Sequence, residues 1–140
     1  MVDNKSMTII LHSGDFDKAM AAFILATGAA AKGLDVTMFF TFWGLKVMEK
    51  GGAGKVGLSK MNFGGLGKAM IKNKMKENNV APLEELISDS AELGVKMIAC
   101  EMTMDLMGVP KENLIKEVSE IGGVGTYMDS AMNGHVNLFI

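Results

Sequence analysis

Hydrophobic positions along the chain fall into short continuous runs and longer periodic stretches. The short runs have the length of buried strands and comprise Met7–His12, Asp35–Thr41, Val95–Cys100, Val118–Ile121 and Val136–Ile140. Runs that are apolar on both faces are typical of strands in a parallel sheet. The pattern therefore predicts about five strands in a mainly parallel sheet.

The periodic stretches between these runs predict helices. They cover residues 16–32, 43–50, 66–77, the stretch from Pro82 to just before Gly94, and residues 101–107 and 126–133. Strands that alternate with helices imply right-handed crossovers and a sheet covered on both faces. We predict a flavodoxin-like, three-layer α/β fold, with residues 1–140 as a single domain.

A glycine-, methionine- and lysine-rich insertion is predicted at about residues 44–80, between the second and third strands. Its part from Gly51 to Gly67 is expected to lack regular structure because it is so rich in glycine. In the helix at 66–77, the pattern assigns two opposite faces. One face carries Leu66, Met70, Ile71 and Met75, and the other carries Lys68, Lys72 and Lys76. The lysine face is interpreted as a solvated surface, a partner surface or lid, or an anchor to anionic lipid.

Composition narrows the classes of function. Hydrophobic residues make up 49% of the chain, although no apolar run approaches the roughly 18 residues of a membrane span. The surplus apolar surface predicts a homo-oligomer and leaves peripheral membrane contact open. All fourteen basic residues are lysines, and the absence of arginine argues against sequence-specific nucleic-acid binding.

The N-terminal sequence MVDNKSMTIILHSG lacks the layout of a signal peptide, and Cys100 is the only cysteine of the chain. One cysteine cannot form an intramolecular disulfide or a thiolate zinc site within one chain. Both observations predict a cytoplasmic protein.

Candidate site residues follow the predicted strands, since ligands of open α/β sheets bind beyond the carboxyl ends of the strands. Three strand ends are expected to meet at one rim. The candidates are His12, Ser13, Gly14 and Asp15 after the first strand, Trp43 and Gly44 after the second, and Cys100, Glu101 and Thr103 after the third.

Two interpretations of Cys100 remain open at this stage. At the start of a helix, unpaired backbone N–H groups and the helix dipole favour a reactive thiolate. The like charge of Glu101 and the neighbouring methionines oppose ionisation, and free cysteines are often inert and buried.

No cofactor or metal site is predicted from motifs. Gly52–Gly57 matches G-x-G-x-x-G, but a short helix precedes it and a loop follows, so the dinucleotide fingerprint is incomplete. His12 and His135 lack the spacing of a metal site.

The sequence around Cys100 resembles the DsrE/DsrF/DsrH-like family. The resemblance rests on Ile-Ala-Cys at residues 98–100, the helix ending at Met107-Gly108, Gly122-Gly123-Val124, Thr126-Tyr127 and the C-terminal Asn137–Ile140, together with His12–Asp15 and Phe39–Gly44. It extends over nearly the whole chain, and the middle insertion is similar to that of the branch often labelled as peroxiredoxin-family proteins. The peroxidatic motif of true peroxiredoxins is not present.

The resemblance implies a small, cytoplasmic, oligomeric α/β protein of the sulfur-relay type. In the sulfurtransferase branch, a cysteine after the third strand carries sulfane sulfur as a persulfide between donor and acceptor proteins, and Cys100 matches that cysteine. Two alternatives to this function are a module that binds a nucleotide or a coenzyme A-like anion without catalysis, and a peripheral membrane adaptor.

Overall fold

Five parallel strands form one sheet in the computed structural model, which describes residues 5–140. They are β1 (Ser6–Leu11), β2 (Asp35–Phe40), β3 (Lys96–Cys100), β4 (Glu120–Gly122) and β5 (Val136–Phe139). Their order across the sheet is β4-β3-β2-β1-β5, and every neighbouring pair is parallel. The predicted parallel sheet of about five strands is confirmed. The first four residues of the N-terminal sequence discussed above lie outside the described part.

Helices connect these strands. Those described are α1 (Phe16–Ala31), α2 (Gly52–Lys55), α3 (Leu66–Glu77), α4 (Leu83–Glu92), α5 (Glu101–Met107) and α6 (Val124–Ala131). Short 3-10 segments lie at Phe42–Met48, Phe63–Gly65 and Lys111–Asn113. The bounds of α3 and α5 agree with the prediction, whereas α6 begins at Val124 rather than at Thr126.

Helices cover both faces of the sheet. Side chains alternate between the two faces along a strand, and in β3 Met97 and Ala99 point into the larger apolar core, which includes residues of α1 and α4. Ile98 and Cys100 point to the opposite face, into a smaller apolar cluster that includes Tyr127 of α6. The predicted three-layer, flavodoxin-like α/β fold is confirmed.

The glycine-rich part of the β2–β3 connection is more ordered than the sequence predicts. It contains α2 and a 3-10 segment, so the expectation that residues 51–67 lack regular structure is wrong. A Cβ atom on Gly52 would lie 1.9 Å from the carbonyl oxygen of Lys46, which means that only glycine permits this close approach of two backbone segments. Glycine serves here for tight packing rather than for flexibility.

Helix α3 differs from the prediction of two opposite faces, one with Leu66 and Met75 and the other with Lys68. Lys68 is 8% exposed and Met75 packs against the large core, whereas Leu66 is 64% exposed. Lys68 and Met75 therefore share the inner face of α3, and Leu66 and Met70 lie outside. The pattern correctly indicates an amphipathic helix, but the lysine-bearing face supplies part of the attachment to the body of the protein.

Residues 5–140 include no helix that has both the length and the apolar character required to cross a lipid bilayer.

Candidate functional site

Cys100 is the last residue of β3 and directly precedes the first turn of α5. Its backbone is extended (φ −69°, ψ 114°), as is usual for the residue that precedes a helix. The residue is only 4% exposed and packs in one apolar cluster with Phe39, Ile98 and Tyr127. The thiol therefore lies at the carboxyl end of the sheet, as predicted, but beneath other side chains.

Gly122 of β4 is the register partner of Cys100. Paired residues of a parallel sheet face the same side, so β4 contributes no side chain beside the thiol. A Cβ atom on Gly122 would lie 2.9 Å from the Oγ1 atom of Thr126 in α6. The first turn of α6 therefore approaches β4 closely because residue 122 has no side chain.

A buried hydrogen-bond chain holds α6 against the sheet. The hydroxyl of Thr8 in β1 donates to Oδ1 of Asn137 over 2.7 Å and lies 3.0 Å from the hydroxyl of Tyr127. Because Thr8 has one hydroxyl proton, Tyr127 acts as the donor in the second contact. The Tyr127 ring also lies 5.5 Å from that of Phe39, centroid to centroid. Together these contacts fix the side chain that covers the Cys100 cluster.

Thr103 and Glu101, predicted at the same rim, have different environments. The Thr103 hydroxyl is fully buried, accepts a hydrogen bond from the backbone N–H of Phe42 over 3.0 Å and lies 3.1 Å from the Thr41 hydroxyl. Phe42 has a φ of +47°, which is rare for a residue with a side chain. Thr103 thus attaches α5 to the end of β2, while Glu101 is exposed to solvent.

The other predicted rim residues lie around a shallow depression of about 570 Å³. Its lining includes His12, Ser13, Gly14, Asp15 and Trp43, together with Lys18, Lys46 and Val56. Both lysines are already in ion pairs, Lys18 with Asp15 at 3.6 Å and Lys46 with Glu49 at 3.3 Å. The depression therefore offers no strongly unbalanced charge to an anion.

Gly44 has a structural role beside this depression. Its backbone N–H donates to the carbonyl oxygen of His12 over 2.9 Å. A Cβ atom at this position would lie 1.9 Å from the carbonyl oxygen of Leu11. Gly44 therefore lets the 3-10 segment after β2 pass close to the end of β1.

The predicted rim residues do not all share one cavity. His12 to Asp15 and Trp43 surround the depression, and Cys100 is not part of its lining. Phe42 links the depression to α5, because its ring lies 5.5 Å from that of His12 and its N–H donates to Thr103. Thr8, Gly122 and Tyr127 are not among the site residues predicted from the sequence, although Gly122 and Tyr127 belong to the motifs of the family resemblance.

Two charged groups near the start of α1 have shifted pKa values. The pKa of Asp17 lies below its usual value because hydrogen bonds from the Ser59 hydroxyl and backbone N–H outweigh burial, which acts in the opposite direction. The pKa of Lys68 is lowered by burial and by the nearby charge of Lys72, although Glu84 opposes this. Neither group contacts Cys100.

Comparison with known proteins places this architecture in a family. The sequence model of the DsrE/DsrF/DrsH-like family matches residues 3–56 and 48–139. The chain belongs to this family.

Relatives of similar length support the assignment. The protein YrkE of Bacillus subtilis is 47% identical, with 97% of each chain covered. Sulfur carrier protein DsrE2 of Allochromatium vinosum is 36% identical, with 99% of this chain and 100% of the relative covered.

Two solved structures share the fold at low sequence identity. Protein MTH1491 of Methanobacterium thermoautotrophicum has a TM-score of 0.64 at 14% identity, with 99% of this chain and 100% of the other covered. The ychN protein of Escherichia coli has a TM-score of 0.62 at 15% identity, with 96% and 99% covered.

Proposed function

We propose that this protein relays sulfane sulfur as a persulfide on Cys100. The observation that carries the proposal is the position of the only thiol of the chain, at the carboxyl end of β3 and at the start of α5. The family assignment and the full-length relative named as a sulfur carrier support a role in sulfur relay.

The chemistry requires one thiol and no external oxidant. The Cys100 thiolate attacks the outer sulfur of a donor persulfide, R–S–SH, and forms Cys100–S–SH while the donor leaves as the thiolate R–S⁻. An acceptor thiolate then attacks the outer sulfur of Cys100–S–SH, takes it over as a new persulfide and releases the Cys100 thiolate. One sulfur atom moves in each step and the electrons balance.

The absence of a second cysteine suits this role. A neighbouring thiol would attack the inner sulfur of the persulfide, form a disulfide and release hydrogen sulfide. The chain has no other cysteine. A persulfide on Cys100 is therefore safe from intramolecular discharge.

The burial of Cys100 determines how the sulfur enters and leaves. In the described conformation, Tyr127 of α6 packs in the same cluster as Cys100, which is only 4% exposed and therefore closed to a bulky reactant. Helix α6 has only eight residues, and Tyr127 is its buried side chain. We infer that a movement of α6 admits the donor and acceptor and that its return shields the bound sulfur from stray thiols.

The partners are a sulfur donor protein and a sulfur acceptor protein, and we further propose that the protein acts as a homo-oligomer. Exposed apolar side chains lie on α5 at Met102 and Leu106, on or directly after α6 at Val124, Met128 and Met132, and on β5 at Phe139. Such a concentration is unusual on a monomeric surface and favours burial against further copies of the chain. The anion-binding alternative lacks comparable support, because both lysines of the depression are ion-paired.

A loading and discharge experiment tests the relay. The purified protein is incubated with a low-molecular-weight persulfide, freed of the donor and treated with cyanide, which converts sulfane sulfur into thiocyanate. We expect one equivalent of thiocyanate per chain from the wild type and none from Cys100→Ser. Equal yields from both proteins would contradict the proposal.

A further inference from the structure

A second apolar surface lies far from the thiol in sequence, around the start of α3. We define the α3 patch as the exposed side chains Met61, Phe63, Leu66, Met70 and Ile71. Met61 and Phe63 are 73% and 71% exposed, which is extreme for apolar side chains of this size. Single exposed apolar residues are common, but five within residues 61–71 are a concentration that requires an explanation.

The attachment of α3 to the body of the protein orients this patch outward. The Nζ atom of Lys68 donates to the carbonyl oxygens of Ala53, at 3.4 Å, and Gly54, at 2.9 Å. The same ammonium lies 5.0 Å from the centroid of the Phe16 ring, within the range of a cation–π contact. With Lys68 held on the inner side, the opposite face with Leu66 and Met70 must point into solvent.

The backbone before α3 holds the first two side chains of the patch in a defined conformation. Met61 and Phe63 have φ values of +57° and +46°, which side-chain-bearing residues adopt only at a cost. The N–H groups of Gly65 and Gly67 both donate to the carbonyl oxygen of Asn62 over 2.9 Å. The segment is therefore a closed turn that presents Met61 and Phe63 at fixed positions.

The segment that carries the patch is also rich in positive charge. Eight lysines lie between Lys46 and Lys76, with Glu49 as the only acid in that range. Among them Lys60, Lys72, Lys74 and Lys76 are exposed, and within residues 5–140 none of these four is in an ion pair. The same segment therefore combines exposed apolar side chains with exposed lysines that are not ion-paired within residues 5–140.

We propose that the α3 patch docks this protein on the surface of a bilayer that contains anionic lipids. Apolar and aromatic side chains bordered by lysines are the features of helices that lie in the membrane interface, with the apolar side chains at the headgroup–acyl boundary and the lysines at the phosphates.

A protein partner fits the patch less well. A second copy of the patch would bring like charges together, and lysine is depleted from protein–protein interfaces, where arginine is enriched. The chain contains no arginine. The charge therefore complements an anionic lipid surface.

Co-flotation with vesicles tests the proposal on the intact chain. Vesicles of phosphatidylcholine with phosphatidylglycerol are compared with vesicles of phosphatidylcholine alone. We expect the wild type to float with the anionic vesicles, to lose most binding at high salt, and to bind the neutral vesicles at least about tenfold less.

Two variants separate the apolar from the electrostatic contribution. Phe63→Ser with Leu66→Ser should lower binding at least about tenfold, because two exposed apolar side chains no longer enter the interface. Replacing Lys60, Lys72 and Lys74 with glutamine should also lower binding and reduce its dependence on salt. The control, Ile24→Ser with Leu93→Ser, removes two comparably exposed apolar residues from α1 and the end of α4 and should bind as the wild type does.

All substituted side chains are exposed, and circular dichroism with a thermal melt verifies that each variant is folded. Absence of binding to anionic vesicles, or equal losses in the α3 and control variants, would overturn the proposal. Cys100→Ser should bind vesicles as the wild type does. The proposal of lipid docking and the proposal of sulfur transfer can therefore be contradicted independently of each other.

Discussion

Cys100 and Gly122 are register partners across β3 and β4, and the missing side chain at residue 122 lets α6 lie directly over this end of the sheet. The thiol is therefore covered by a short helix rather than by the sheet itself. Access to Cys100 depends on how firmly α6 is held.

Gly122→Ala should displace α6. The new methyl group would lie 2.9 Å from Oγ1 of Thr126, so α6 has to shift outward. We expect the free energy of unfolding to fall by about 1–3 kcal/mol, as in other overpacked sites, and the alkylation of Cys100 by iodoacetamide to become faster. Gly123→Ala is the matched control, since a Cβ atom there meets nothing within 4 Å. Unchanged alkylation in a destabilised Gly122→Ala protein would show that α6 is not the cover.

Tyr127→Phe should loosen the same helix without adding volume. The substitution removes the hydroxyl that lies 3.0 Å from the buried Thr8 hydroxyl and leaves the ring contact with Phe39 intact. We expect a loss of about 1 kcal/mol in the free energy of unfolding and a faster reaction of Cys100 with bulky disulfides in the folded state. If only the stability changes, Tyr127 has no part in controlling access.

Asp17 should make the stability depend on acid pH. Its pKa is lower in the folded than in the unfolded state, whose usual value is 3.8. At pH values between the folded-state and unfolded-state pKa of Asp17, the unfolded chain binds more protons than the folded protein. The stabilisation by the ionised carboxylate is therefore complete above the unfolded-state pKa and is lost as the pH falls through the folded-state pKa.

Urea denaturation of wild type and Asp17→Asn measures this contribution. Because Asp17 is exposed, the difference should be modest, on the order of 0.5–1 kcal/mol at neutral pH. It should disappear at pH values below the folded pKa, where the wild-type carboxyl group is protonated. If the difference in the free energy of unfolding between the two proteins does not change with pH, it does not arise from the Asp17 carboxylate that Ser59 binds.

The exposed apolar residues of α6 and β5 should control the oligomeric state. Replacing both Met132 and Phe139, which are exposed by 71% and 68%, with serine removes a large part of the apolar area there. Light scattering coupled to size exclusion should then report a smaller species than for the wild type. Phe63→Ser with Leu66→Ser, on the α3 patch, is the control and should leave the assembly unchanged. A wild type that is monomeric at high concentration would contradict the proposed assembly.

The sequence predicts the fold well because its strong signals are local. Strands apolar on both faces and helices bounded by glycine specify a parallel α/β sheet, and α3 and α5 begin and end where the periodicity indicates. The orientation of α3 was not predictable in the same way. Periodicity shows that Lys68 and Leu66 lie on different faces, but which face is inside depends on carbonyl groups of Ala53 and Gly54.

The candidate site is predicted less completely. The position of Cys100 at a strand end follows from topology, whereas its burial under Tyr127 requires knowledge of how α6 packs. In a strand buried on both faces, Ala99 and Cys100 give no signal as to which one faces the larger core. The sequence therefore places Cys100 and His12 at one rim, although the depression beside His12 does not include the thiol.

Intact-mass spectrometry of the protein after exposure to a low-molecular-weight persulfide is the sharpest test of a relay through Cys100. We expect the wild type to gain the mass of one sulfur atom, fragmentation to locate this atom on Cys100, and an acceptor thiol to remove it again. Cys100→Ser should gain nothing. A folded wild-type protein that gains no sulfur under these conditions would contradict a persulfide relay through Cys100.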